Sequence, residues 1–98
     1  MNSRHDEQSV LKLSPAASFQ TLGNGAVVLM ADSGQLYSAN ETMEAFLARV
    51  DGVRTLGEII DSMLDEFEVE RSVLVADILE LSGELAGEGI VVETRAAA

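Results

Sequence analysis

The sequence has no cysteine and no tryptophan, one proline, one histidine and one tyrosine. The missing thiols exclude disulfides, cysteine nucleophiles and thiolate metal sites. With one tyrosine and three phenylalanines, the core of this 98-residue chain has to be aliphatic. Basic residues are scarce too: 6 Lys and Arg stand against 17 Asp and Glu, a net charge of −11. The deficit lies in one half, because residues 55–93 hold eleven acids and only Arg71 as a base. Such a surface repels phosphates, which argues against nucleic acid and anionic membranes as partners. No apolar run approaches the roughly 20 residues of a membrane helix. The N-terminus lacks the apolar stretch of a signal peptide, so a cytoplasmic setting is expected.

What is present is one domain's worth of apolar pattern, 47% of the residues. Residues 1–17 are polar and small, and read as a flexible N-terminal arm. A short strand is expected at Ser18–Leu22, reversed by Gly23-Asn24-Gly25. Ala26–Met30 is a β-branched apolar run, Asp32-Ser33-Gly34 a second turn, and Gln35–Ala39 a third strand. Two short turns make the three strands an antiparallel meander.

Helices follow. Asn40 is a good N-cap, and Met43, Phe46, Leu47 and Val50 share one helical face. Asp51-Gly52 is expected to end that helix through a left-handed Gly52. Thr55 and Glu58 have capping-box spacing ahead of Leu56, Ile59, Ile60, Met63, Leu64 and Phe67. A third helix is expected from about Ser72 to about Ala86, with Leu74, Ile78, Leu81 and Leu85 inward. Gly87 and Gly89 stop it, and Ile90-Val91-Val92 reads as a short strand or extended tail. Residues 94–98 read as a disordered end. The class is α+β, three strands followed by three helices, with the domain proper at 18–93.

Catalytic patterns are missing. His5 lies in the arm beside Asp6 and Glu7 and reads as a solvated residue, with nothing to hold it for Ser-His-Asp chemistry. Asp61, Asp65, Glu66, Glu68 and Glu70 lack the alternation and central glycine of a calcium loop. Gly23-Asn24-Gly25 leads into a strand rather than a helix, unlike a dinucleotide-binding fingerprint. Ser33 sits in a turn, unlike the helix-opening serine of a carrier protein. The chain therefore reads as a binding domain, not an enzyme, with neither metal nor cofactor. Binding surface is expected along Gln35–Ala39, if that strand is a sheet edge. On the third helix, Val73, Asp77, Glu80 and Glu84 form one flank, and Val75, Leu79, Ser82 and Ala86 the other. The second flank, small and apolar, is either buried more deeply or a groove wall.

Several stretches together resemble one family. They are Leu22-Gly-Asn-Gly-Ala-Val-Val-Leu29, Gly34-Gln-Leu-Tyr-Ser-Ala-Asn40, Phe46-Leu47, Asp51-Gly-Val-Arg-Thr-Leu-Gly-Glu-Ile59, Asp77-Ile-Leu-Glu-Leu81 and Gly89-Ile-Val91. In this order they resemble the PqqD family, over roughly residues 18–93. The resemblance implies a winged helix-turn-helix fold and a non-catalytic peptide chaperone. Such a protein holds the leader region of a ribosomally made precursor peptide for a modifying enzyme, often a radical SAM enzyme. It implies that the leader adds as a strand to Gln35, Leu36, Tyr37 and Ser38. It also implies contact with the third helix, placed by the helical wheel at Val75, Leu79 and Ser82. Where members devoted to the quinone cofactor PQQ carry a Pro-Glu pair and a cysteine, this chain has Ala31-Asp32 and Val50. The pathway, PQQ or another modified peptide, thus stays open. An open edge strand also permits a homodimer. The alternatives are a winged-helix DNA-binding regulator, disfavoured because Ser72–Ala86 holds no base, and an acyl or peptidyl carrier protein.

Overall fold

A computed structural model describes residues 5–23 and 25–94. Its elements run β1 (Leu11–Leu13), β2 (Ala17–Leu22), β3 (Gly25–Met30), β4 (Leu36–Ala39), α1 (Glu41–Arg49), α2 (Leu56–Met63), α3 (Arg71–Gly87) and β5 (Val91–Glu93). β2, β3 and β4 form the expected antiparallel meander, with β3 central. Leu22 pairs with Gly25 across a two-residue reversal, in which Gly23 has φ +57°. Asn24 of that turn lies outside the described residues. Period-two alternation gives the sheet two faces. Ala26, Val28 and Met30 are buried beneath the helices, whereas Leu29 and Leu36, paired in register, face outward and exposed. This is the winged helix-turn-helix arrangement, the meander being the wing.

The helix ends follow their sequence signals closely. Asn40 Oδ1 accepts the Met43 N–H at 2.9 Å, which starts α1. The capping box closes at both contacts: Glu58 N–H donates to Thr55 Oγ1 at 3.2 Å and Thr55 N–H to Glu58 Oε1 at 2.9 Å. α3 ends in a Schellman turn, with Ile90 N–H on the Leu85 carbonyl at 2.9 Å and Gly89 N–H on Ala86 at 3.1 Å. Gly89 supplies the positive φ, +79°, which this turn requires. Gly52 also has φ +79° but does not cap α1, which already ends with an extended Val50. Its N–H instead reaches the Leu11 carbonyl of β1 at 3.0 Å.

The arm expected over residues 1–17 is corrected by the structure from His5 onward. Leu11–Leu13 pairs antiparallel with Val91–Glu93, so the final apolar stretch is a strand with a partner. Leu11 is fully buried in the core with Phe46, Leu56, Ile59 and Ile78. The preceding residues serve the start of α2, whose first N–H groups have no partner inside the helix. Ser9 and Glu7 carbonyls accept from Leu56 and Gly57, each at 2.9 Å. Gly57 is small enough to permit this, since a Cβ there would sit 3.2 Å from the Glu7 carbonyl oxygen. Arg71 then pairs with both Glu7, at 2.7 Å, and Asp61, at 2.9 Å. Residues 1–4 and the 95–98 end lie outside the described residues.

Candidate functional site

β4 hydrogen-bonds β3 along one edge, and among the described residues nothing pairs with the other. The ladder phase says which backbone groups are free. Met30 N–H donates to the Gln35 carbonyl at 2.9 Å, so Gln35 faces β3. Antiparallel ladders alternate, which turns Tyr37 and Ala39 toward β3 as well. The N–H and C=O groups of Leu36 and Ser38 therefore point away from the sheet, toward an absent neighbour. Their side chains are exposed, Leu36 at 64%. Tyr37 and Ala39 are half-buried on the helix-facing side.

Just past the end of β4, an open cleft of about 340 Å³ separates the start of α1 from α3. Asn40 and Thr42 line the near wall; Asp77, Glu80, Leu81 and Glu84 line the far one. Farther along the helix, Tyr37 Oη lies 2.9 Å from Glu88 Oε1. It is also 2.9 Å from Gln35 Oε1. The hydroxyl has one proton to give, and the carboxylate is the stronger acceptor. That bond, with smaller contributions from burial and the Glu88 charge, holds Tyr37 above its ordinary pKa.

The flank of α3 that faces β4 is therefore the acidic one. Leu74, Ile78, Ser82 and Leu85 point into the core. At about 100° per residue, Asp77, Leu81, Glu84 and Glu88 lie to one side of that direction and Val75, Leu79 and Ala86 to the other. Val75, Leu79 and Ser82, expected on the groove wall, do not line this cleft. Val75 and Leu79 are half-buried against the core on the far side. Ser82 is fully buried, donating to the Leu79 carbonyl at 2.9 Å. Its oxygen also meets His5 Nδ1 at 3.0 Å. This contact holds His5 rather than leaving it solvated.

Among the described residues, the acids of the exposed flank have no ion-pair partner. The four ion pairs among the described residues involve Arg49, Arg54 and Arg71, and none reaches Asp77, Glu80, Glu84 or Glu88. Like charges four apart on a helix cost about 0.2–0.5 kcal/mol per pair, as at Glu80–Glu84 and Glu84–Glu88. The signal for this stripe was in the sequence, as acids at helical spacing around Leu81. The side of the helix on which β4 lay was not.

The Asp51–Thr55 loop is structural. Asp51 Oδ1 accepts the N–H groups of Val53 and Arg54, both at 2.9 Å. Those two bonds, chiefly the one from Arg54, hold the Asp51 carboxyl below its usual range. Among the described residues no group of three or more His, Asp or Glu could hold a metal ion. Among the described residues no helix is long and apolar enough to cross a membrane.

Fold and site together define a small winged helix-turn-helix domain with an unpaired strand edge facing a helix-walled cleft. Residues 25–91 match the family described as Coenzyme PQQ synthesis protein D (PqqD), and the chain belongs to that family. Two solved structures share the fold. One is a "Lasso peptide synthetase B1 complexed with the leader peptide", with TM-score 0.75 and 26% identity over 84% of this chain and 96% of that one. The other is "TbiB1 in Complex with the TbiA(beta) Leader Peptide", with TM-score 0.75 and 18% identity over 89% and 98%. No curated protein matches the chain.

Proposed function

We propose that this domain is a non-catalytic recognition element that binds the leader region of a ribosomally made precursor peptide and presents it to a modifying enzyme. The observation that carries the reading is the open edge of β4, where Leu36 and Ser38 leave backbone donors and acceptors free. An extended peptide completes that ladder, drawing affinity from the main chain and selectivity from the side chains it turns into the cleft. Family membership and the two leader-peptide complexes of the same fold support it. The contact set proposed is Gln35, Leu36, Tyr37 and Ser38 on the strand, with the Asp77–Leu81 side of α3 opposite. The modifying enzyme, of radical SAM or other type, is a separate partner in a cytoplasmic pathway.

The test is an NMR titration of isotope-labelled protein with the leader segment of a precursor encoded beside its gene. Amide shifts at Gln35–Ser38, saturating with peptide, are expected. Shifts confined to other elements would reject strand addition.

A further inference from the structure

We infer that the peptide taken up by β4 is cationic: the side chains it turns into the cleft include Lys or Arg, which pair with Asp77, Glu80 and Glu84. The site itself rests on the strand-addition reading above and on the open edge of β4; the acids say which peptide fits it. A strand added to β4 alternates its side chains, and every second one lies on the face of Tyr37 and Ala39, toward α3. The cleft at the end of β4 presents Asp77, Glu80, Glu84 and the half-buried Leu81 to side chains on that face. Of the near-wall groups, Asn40 Oδ1 is already engaged by the Met43 N–H. The three carboxylates have no cation among the described residues. Lys and Arg suit this wall twice over, since their apolar stems lie along Leu81 while their charged heads reach the acids. An acidic peptide would bring like charges together at the same place, which excludes it.

The probes are three synthetic peptides of equal length, alternating Val with Lys, with Ser or with Glu, measured by calorimetry. They are tested on the wild-type chain, on D77N/E80Q/E84Q, and on D65N/E68Q/E93Q, whose three exposed acids lie away from the cleft. All substitutions are at exposed positions, and circular dichroism checks the fold. The Lys peptide is expected to bind most tightly and the Glu peptide not at all. Removing the three cleft acids should weaken the Lys peptide about tenfold, as several exposed ion pairs together would. Removing the three distant acids should leave it nearly unchanged. Equal weakening by both triple variants would overturn the inference, because the attraction would then be to net charge alone. Lys and Ser peptides of equal affinity, both abolished by L36P, would overturn the charge inference and leave strand addition standing. Failure of all three peptides to bind the wild-type chain would overturn both.

Discussion

Tyr37 on β4 and Glu88 at the end of α3 meet hydroxyl to carboxylate at 2.9 Å. This contact ties β4 to the end of α3 across 51 residues of sequence. Tyr37 is the only tyrosine and there is no tryptophan, so its ionisation can be followed without interference. Glu88→Gln should lower the Tyr37 pKa toward its ordinary value, because the Glu88 carboxylate is the largest cause of the rise. A spectrophotometric alkaline titration of both proteins checks this; superimposable curves would mean the contact does not form in solution.

Leu36→Pro removes the N–H that faces the open edge of β4, while Leu36→Val keeps it. The residue is 64% exposed, so neither change opens the core. Leader binding should be lost in the first variant and retained within a few-fold in the second. Equal affinity in both, by calorimetry, would show that the peptide does not pair at Leu36.

Ser82 points into the core and does not line the cleft. Ser82→Ala removes the bonds to His5 and to the Leu79 carbonyl at a fully buried position. A loss of about 1 kcal/mol in urea unfolding is expected, typical of one net hydrogen bond. Peptide affinity should stay at the wild-type value, whereas a groove-lining Ser82 would change it.

The N-terminal segment should behave as part of the domain. Leu11→Ala empties a fully buried core position and should cost about 2–5 kcal/mol. Deleting residues 1–13 should cost more still, since it also leaves β5 unpaired and uncovers the first N–H groups of α2. Thermal and urea unfolding of the truncated chain measure it. A truncated chain as stable as the whole would restore the reading of this segment as an arm.

Asp51 gives an acid-side signature. Its folded-state pKa is depressed, so its contribution to stability is complete above the ordinary carboxylate range. That contribution is lost as pH falls through the folded value, where the native carboxylate takes up its proton. Asp51→Asn should therefore be less stable than wild type at neutral pH, with the gap closing as the solution is acidified. Urea midpoints across that range test it; a constant gap would mean the charge is not involved.

Local signals decided much of this protein. The turns at Gly23 and Gly34, the Asn40 cap, the Thr55–Glu58 box and the helical faces were legible in the sequence, because each depends on residues within a few positions of one another. The meander followed from short turns, and the absence of bases between Ser72 and Ala86 already disfavoured a phosphate-binding helix. Tertiary structure alone decided three things. β1 was too short to announce itself, and its partner β5 lies some 80 residues away, so a polar-looking arm concealed Leu11 in the core. The flank of α3 facing β4 depended on how the helix rolls, and covering Ser82 with His5 left the acidic side open. The freedom of the β4 edge was a matter of what does not pack there. Periodicity reports which residues share a face but not what that face meets.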